Sequence, residues 1–214
     1  MPITLKYILV ALIGYALGNV SVGIIIAKLY GIQDIRKVGS GNAGTTNVLR
    51  NLGWVPSVLT LAGDCLKALI AALIGKIICG EIGAVVGGSF AMLGHDFPAV
   101  FKFKGGKGIA SGLGMILIVD PVIALVLTII VVAIAGFTGY MSLGSVSVCF
   151  VYPVAIAITK HGSPDFATHM AFAIGAALLT LFQHRKNIQR LLKGEENKLD
   201  YSRISKIRSK IQKH

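Results

Sequence analysis

Three segments of this chain place small, hydroxylated and cationic residues at spacings that suit phosphate binding. In the first, residues 38–50, glycines 39, 41 and 44 form a G-x-G-x-x-G pattern that no strand precedes, so a dinucleotide-binding fold is excluded. Glycines let backbone N–H groups converge on an anion, and Ser40, Thr45 and Thr46 add hydroxyls. A short helix over Thr45–Leu52 would aim its positive end at that anion, with Arg50 as a forked contact. The alternative is a flexible turn between two membrane spans.

The second segment, residues 94–112, carries Lys104 and Lys107 on either side of two glycines, directly before a predicted helix. It is not a Walker loop, because Gly108 stands where Ser or Thr should follow the lysine. Backbone amides, a helix N-terminus and two ammonium groups would meet here. Lysines also mark the cytoplasmic ends of spans for topology alone. We accept that explanation for Lys102 but not for Lys107, which is held between glycines.

The third segment, residues 183–190, lies where the last apolar run ends. His184 and Asn187 are three residues apart and would share a helical face, where they could hydrogen-bond a carbonyl or a phosphate. Stop-transfer charge explains Lys186 and Arg190 equally well. The sequence therefore leaves both explanations open for this segment.

Ionisable residues inside apolar runs form a further group. Asp64 and Lys67 have the i, i+3 spacing of a pair on one helical face. An intramembrane pair is by default a functional candidate, but a pair that supports the nearby loops explains the pattern as well. His95, near a span end, could act as a base or as a hydrogen bonder of the scaffold.

The composition indicates that these segments are positioned by helices in a lipid bilayer. Of the 214 residues, 54% are hydrophobic and 14% are charged, and the mean hydropathy is +0.76. The apolar residues come in long unbroken runs, which argues against a water-soluble fold. The net charge of +12 must therefore lie in loops and ends. The three cysteines lack the spacing of metal ligands, and their odd number argues against a disulfide framework.

The predicted fold is an all-α polytopic membrane protein of about seven transmembrane helices, with five as the alternative if residues 109–137 are merged or re-entrant. Proline disfavours helix at the residue before it, so Asp120-Pro121 favours two helices at that point. The predicted runs are Leu5–Ala27, Pro56–Cys79, Ile82–Val100, Ile109–Val119, Pro121–Phe137, Leu143–Thr159 and Phe166–Phe182.

The distribution of basic residues predicts the orientation. With seven spans, one face receives all but four of the 21 lysines and arginines, the exceptions being Lys6, Lys67, Lys76 and Lys160. The positive-inside rule then places the N-terminus outside and the C-terminus in the cytoplasm. We expect one transmembrane catalytic domain over residues 1–194 and a basic, polar cytoplasmic tail over residues 195–214. In that tail Ile204, Ile207 and Ile211 could form a membrane-surface face, although a solvated, partly disordered tail is the favoured reading.

The three segments, in this order, resemble the bacterial acyl-phosphate:glycerol-3-phosphate acyltransferases (the PlsY family), from about Leu5 to Gly194. The matching residues are Gly39-Ser40-Gly41-Asn42 with Thr46, Asn47 and Arg50; Gly94-His95 with Pro98; Phe103-Lys104-Gly105-Gly106-Lys107-Gly108; and His184-Arg185 with Asn187, Ile188 and Arg190. At four positions this sequence differs from the residue that is usual in the family. Gln183 stands where arginine is common, Ser111 where threonine is usual, Ala68 where glycine is frequent and Asn19 where serine is frequent. They concern helix packing more than chemistry.

The resemblance implies transfer of a fatty acyl group from acyl phosphate to the 1-hydroxyl of glycerol 3-phosphate, giving lysophosphatidic acid and phosphate. It implies that Ser40, Arg50 and Lys107 hold glycerol 3-phosphate and that His184 and Asn187 contact the acyl phosphate. The catalytic set is then Ser40, Lys107, His184 and Asn187. The implied substrate-binding set is Gly41, Asn42, Thr46, Asn47, Arg50, His95, Lys104, Gly105, Gly106 and Arg185.

An acyl phosphate is already activated, so we expect neither a metal nor a soluble cofactor. No general base stands out, and our hypothesis is that the substrate's phosphate accepts the hydroxyl proton while the protein orients and neutralises. We expect a monomer in the bacterial inner membrane, surrounded by lipid, without a nucleic-acid partner. The rival functions are an acyl-CoA or acyl-carrier acyltransferase, whose His-x4-Asp spacing no histidine here shows, a phosphate-solute transporter and a non-catalytic lipid-binding protein.

Overall fold

The computed structural model describes residues 1–200, and these residues form α-helices joined by short loops. The apolar runs of the sequence become helices because only a helix satisfies its own backbone in lipid. The helices are α1 (Ile3–Gly18), α2 (Val22–Leu29), α3 (Thr45–Leu52), α4 (Trp54–Asp96), α5 (Ile109–Val119), α6 (Pro121–Thr138), α7 (Met141–Thr159), α8 (Phe166–Gln183) and α9 (Arg185–Leu192). Single 3₁₀ turns at Ile35–Lys37 and Ala99–Phe101 lie in the two basic loops.

Helix α4 is the scaffold of the fold, since it contacts α1, α2, α3, α5 and α8. It is bent at Cys79 and Gly80, whose backbone angles are not helical, and Gly80 has a φ of 68° that favours glycine. The bend gives α4 two arms, residues 54–78 and 81–96, which run back along each other. A Cβ on Gly75 would collide with the carbonyl of Gly83, and one on Gly87 with that of Ala71. The sequence predicted two separate runs at this point, with the break after Cys79.

Small residues bring the helices into close contact. A Cβ on Gly14 of α1 would collide with the backbone of Gly87, and one on Gly114 of α5 would collide with that of Cys65. Helix association in a bilayer depends on such close approach, because lipid gives no hydrophobic driving force between helices. The arms of α4 are thereby held rigidly against α1 and α5, and the loops at their ends are fixed in position.

The apolar side chains of the outer surface are suited to lipid. Leu12, Val122, Phe137 and Leu178 are each more than 60% exposed, and water would not tolerate so many in one protein. Within residues 1–200, five stretches are long and apolar enough to cross a membrane: Ile3–Leu29, Trp54–Phe101, Pro121–Thr138, Met141–Thr159 and Phe166–Gln183. Ile109–Val119 is a shorter apolar helix. The predicted break at Asp120-Pro121 is present, because α5 ends at Val119 and α6 begins at Pro121.

Three structural units close one end of the bundle: the loop before α3, the loop between α4 and α5, and α9. Residues 195–200 of the segment predicted as a tail lie against this end, where Leu199 donates its backbone N–H to the carbonyl of Gly139 at 2.8 Å. Leu199 is buried beside Leu49 and Met141. The rest of the predicted tail, including its isoleucine face, lies outside the described residues.

Candidate active site

A single cavity joins the closed end of the bundle to an apolar groove between α5, α6, α7 and α8. Nine of the predicted catalytic and substrate-binding residues line it: Ser40, Asn42, Thr46, Asn47, Arg50, His95, Lys107, His184 and Asn187. Three segments that are far apart in the sequence therefore meet at one place. We call this cation- and amide-rich part of the cavity the polar end.

Asn47 organises the loop that carries Ser40. Its side-chain amide donates to the carbonyls of Ile35, Val38 and Asn42 at 2.8–3.0 Å. Its Oδ1 accepts from the backbone N–H of Ser40 at 2.9 Å. Asn47 is 2% exposed, so each of these bonds is made away from water and is costly to lose. The loop is therefore a fixed structure held by one amide from the first turn of α3, not a flexible turn.

Arg36 connects the first basic loop to the second. Its guanidinium is paired with Asp34 at 2.9 Å and donates to the carbonyls of Phe101 and Lys104, both at 3.2 Å. The Arg36 side chain also lies over the Phe101 ring, 5.4 Å from its centre. The carboxylate and guanidinium stabilise each other, which lowers the pKa of Asp34 from its usual value. The Arg36–Asp34 pair thus fixes the position of the two loops relative to each other at the polar end.

Gly105 and Gly106 serve close packing against the end of α4. A Cβ on Gly106 would collide with the His95 ring, and one on Gly105 with the His95 carbonyl and Pro98. Their N–H groups donate to the carbonyls of Asp96 and His95 at 3.2 and 2.9 Å. The amides that the sequence offered to phosphate at these positions are already used inside the protein. Neither glycine lines the cavity.

Lys107 enters the polar end and begins a chain of hydrogen bonds. Its ammonium donates to Oδ1 of Asn187, whose Nδ2 donates to Oε1 of Glu196 at 2.8 Å. The same carboxylate accepts from Ser142 at 3.0 Å and from Arg190 at 2.7 Å. Burial lowers the pKa of Lys107 to about 8, although the nearby Glu196 carboxylate opposes that shift. The lysine is thus a weakly solvated cation, which strengthens its interaction with an anion.

The protonation of His184 is fixed by its neighbour. Its Nδ1 lies 2.9 Å from the carbonyl oxygen of Thr180, and a carbonyl only accepts, so Nδ1 carries the hydrogen and Nε2 is the acceptor. His184 is 4% exposed. Burial, and then the positive charge of Lys107, lower the pKa of His184 to about 4. The imidazole is therefore neutral at physiological pH.

Arg50 completes the polar end from α3. Its guanidinium donates to the carbonyl of Asn197 at 2.7 Å, and its Nε is buried without a partner among residues 1–200. Burial lowers the pKa of Arg50, with Arg190 acting in the same direction and Glu196 opposing it. Arg50 and Lys107 place two cations in one partly buried space, which an anionic group would stabilise.

The Asp64–Lys67 pair supports the scaffold. The two groups are 2.8 Å apart, and the ammonium also donates to the carbonyls of Gly18 and Val20, where α1 ends and α2 is about to begin. It also donates to Nδ1 of His95 at 2.9 Å. Of the two explanations left open by the sequence, these contacts favour the structural one. Asp64 and His95 nevertheless line the cavity.

Some predicted site residues lie outside the cavity, and some of its lining residues were missed. Gly41 and Lys104 are exposed and absent from the lining, and Arg185 stacks on Phe182 instead. The polar residues that were missed are Thr128, Ser142, Ser145, Thr180 and Glu196. Glu196 carried a faint signal, as a carboxylate in a strongly basic segment. The serines and threonines carried none, because such residues often bond their own helix, as Ser145 does to Met141.

Comparisons with known proteins agree with this geometry. The profile of the family described as glycerol-3-phosphate acyltransferase matches residues 8–194. A protein of that name from Thermoanaerobacter pseudethanolicus is 41% identical over 192 residues, covering 90% of this chain and 95% of the relative. One from Clostridioides difficile is 39% identical over 200 residues, which cover 91% of this chain and 96% of the relative.

Two solved structures share the fold. The chain is similar to PlsY (YgiH), an integral membrane glycerol 3-phosphate acyltransferase, in its glycerol 3-phosphate form, with a TM-score of 0.83 and 36% identity. That match covers 91% of this chain and 96% of that chain. The lysophosphatidic acid form of the same protein gives a TM-score of 0.82 and 34% identity, covering 92% and 97%.

Proposed function

Because this chain belongs to the glycerol-3-phosphate acyltransferase family, we propose that it transfers a fatty acyl group from an acyl phosphate to the 1-hydroxyl of glycerol 3-phosphate. The products are lysophosphatidic acid and phosphate. One observation carries the proposal: a polar end with two partly buried cations opens directly into an apolar groove. Both proposed substrates carry phosphate, and one of them carries a chain that must stay out of water.

Arg50, Lys107 and Ser40 hold the phosphate of glycerol 3-phosphate in this proposal. Arg50 supplies charge from α3 and Lys107 from the loop before α5, and Ser40 supplies a hydroxyl from the loop that Asn47 holds. A preorganised set of donors binds an anion without the cost of rearranging at the moment of reaction. His184 and Asn187 contact the acyl phosphate, and Asn42, Thr46 and Asn47 shape the pocket around it.

The attacking hydroxyl oxygen forms a bond to the acyl carbon, and the bond from that carbon to the phosphate oxygen breaks. The hydroxyl proton passes to the phosphate of the donor. This choice of base is supported by His184, because an imidazole with a pKa of about 4 is a weaker base than a phosphate whose second pKa is about 6. In this proposal the ammonium of Lys107 and the second N–H of the Asn187 amide, whose first N–H donates to Glu196, stabilise the negative charge that develops on the acyl oxygen.

Seven crossings of the bacterial inner membrane accompany this function in the proposal, with the N-terminus outside and the polar end facing the cytoplasm. The bend in α4 supports this number, since its two arms and the short α5 would each be one crossing. Residues 1–194 form the catalytic domain, which acts as a monomer. Lys102, Lys104, Lys107 and the cations of α9 then share the cytoplasmic side, in line with the positive-inside rule.

The test is a phosphate-release assay on the purified protein in lipid, given acyl phosphate with and without glycerol 3-phosphate. Release of phosphate together with formation of lysophosphatidic acid only when both substrates are present is the expected result. Uptake of glycerol 3-phosphate into sealed vesicles without phosphate release would instead identify a transporter. Equal activity with acyl-CoA in place of acyl phosphate would overturn the choice of donor.

A further inference from the structure

The groove below the polar end has continuous apolar walls. The side chains that line it include Leu113 and Ile116 of α5, Ala124, Leu127 and Val131 of α6, Val148 and Cys149 of α7, and Ala176 and Ala177 of α8. The groove belongs to the same cavity as Lys107 and His184, so one ligand can occupy both parts. An acyl chain attached to a reacting carbonyl at the polar end is such a ligand.

Two aromatic rings close the far end of the groove. Tyr152 of α7 and Phe172 of α8 both line the cavity and pack edge to face, with ring centres 6.0 Å apart and an angle of 73° between the rings. Tyr152 is 4% exposed and Phe172 is 9% exposed. Edge-to-face pairs are favourable beyond the area they bury, so the rings resist separation. We call this pair the floor of the groove.

A polar cluster lies beside the floor. Asp120 pairs with Lys160 at 2.7 Å, and its other carboxylate oxygen lies 3.9 Å from Nε2 of His169. The Tyr152 hydroxyl, that carboxylate oxygen and Nε2 of His169 are all buried without a hydrogen-bond partner among residues 1–200. An apolar chain end pushed among these groups would separate them while offering no hydrogen-bond partner, which costs free energy. The floor is therefore a chemical limit as well as a steric one.

The depth of the groove follows from helix geometry. His184 and Phe172 are twelve residues apart on α8, which corresponds to about 18 Å at a rise of ~1.5 Å per residue. Ser142 and Tyr152 are ten residues apart on α7, or about 15 Å. An extended acyl chain advances about 1.3 Å per carbon, given C–C bonds of about 1.5 Å. At about 1.3 Å per carbon, these two depths correspond to a chain of roughly 12 to 14 carbons.

We propose that the Tyr152–Phe172 floor sets the acyl-chain preference of this enzyme by limiting how many methylenes the groove can bury. The inference rests on the proposed acyl transfer and adds the residues that select among donors. Each methylene that gains burial favours the longer donor by about fourfold. Preference therefore rises with chain length until the chain end meets the rings, and additional carbons bring no further gain.

The test compares kcat/KM for lauroyl, myristoyl, palmitoyl and stearoyl phosphates in wild type and variants. Phe172→Ala deepens the groove by roughly 4 Å, about three carbons by the same bond geometry. The palmitoyl-to-myristoyl ratio is expected to rise about fifteenfold, for two methylenes that gain burial. Phe172→Trp raises the floor, so the last carbons of a myristoyl chain lose burial and the myristoyl-to-lauroyl ratio should fall. Phe150→Ala is the matched control, because Phe150 lies on α7 but is 63% exposed toward lipid.

The two Phe172 variants shift the preference in opposite directions, so the inference stays testable even if Phe172→Ala does not fold. An active wild type whose ranking of donors is the same in both folded variants, or shifts equally in Phe150→Ala, would overturn the floor and leave acyl transfer standing. A wild type that transfers none of the four chains would instead overturn the proposed function. Opposite shifts with an unchanged control would establish the floor.

Discussion

The polar end and the apolar groove belong to one cavity but differ in how they are built. At the polar end, nearly every side chain has a particular partner, as Asn47 has with three carbonyls and as Glu196 has with Asn187, Ser142 and Arg190. In the groove, the walls are aliphatic side chains that any apolar residue of similar volume could replace. The polar end therefore depends on the chemistry of single residues, whereas the groove depends on summed area and shape.

The two regions should respond differently to substitution. A buried polar group that loses its partner is destabilised by its full desolvation cost, so changes at the polar end should be abrupt. Burial of apolar area is roughly additive, so changes in the groove should be graded. Substitutions in the two regions can be ranked on this basis.

Lys107→Ala should have the largest effect. It removes an ammonium that bonds Asn187 and lines the cavity, and we expect kcat/KM to fall by about 10²–10³, as for the loss of one preorganised donor. The measurement is phosphate release at saturating and limiting glycerol 3-phosphate. Lys102→Ala is the control, because Lys102 is an exposed lysine of the same loop that lies outside the cavity. Near-normal turnover of Lys107→Ala would contradict the electrostatic account of the polar end.

Asn47→Ala should be next. The substitution leaves three loop carbonyls without their donor, and we expect the free energy of unfolding to fall by about 2–3 kcal/mol. Since Ser40 is held through Asn47, kcat/KM should fall by about 10–100-fold as well. Asn51→Ala removes only bonds to Asn47 itself, so it should lower the free energy of unfolding by less than about half as much as Asn47→Ala does. Equal effects of the two variants would mean that the loop is not organised by Asn47.

The sequence predicted the polar end better than the groove, because the polar end depends on single distinctive residues and the groove on apolar area. Ser40, Arg50, Lys107, His184 and Asn187 are costly residues in a lipid-facing protein, so their presence was informative, and the cavity brings them together. Leu127 and Ala177 are indistinguishable in the sequence from lipid-facing residues such as Leu125. The bend at Cys79 and Gly80 was visible as a break between runs, but its role in folding α4 back on itself required the structure.

Glu196 is a site residue that composition does not reveal. Residues 195–214 were assigned to a polar tail on composition, yet Glu196 is 6% exposed and bonds three side chains of the polar end. Composition over a window reports the average environment of its residues. It cannot single out one carboxylate that is buried by partners distant in the sequence.

The pH dependence of kcat/KM should reveal the buried state of Lys107. Its pKa of about 8 in the free enzyme means that the ammonium loses its proton above that pH, so kcat/KM should fall about tenfold per unit there. Lys107→Arg keeps its charge and should remove this alkaline decline. Glu196→Gln removes the carboxylate that raises the pKa of Lys107, so the decline should begin at lower pH. An alkaline decline that is identical in all three proteins would show that another group titrates.

The smallest effect is expected in the groove, and it tests whether that region responds in a graded way. Leu127 lines the cavity and is 7% exposed, whereas Leu125 on the same helix is 61% exposed. Leu127→Ala should lower kcat/KM for the acyl phosphate by about three- to tenfold, through lost contact with the chain. The KM for glycerol 3-phosphate should not change, because that substrate does not enter the groove. Leu125→Ala should alter neither constant. If Leu127→Ala abolished activity as Lys107→Ala does, the groove would depend on single residues after all, and the contrast between the two regions would be wrong.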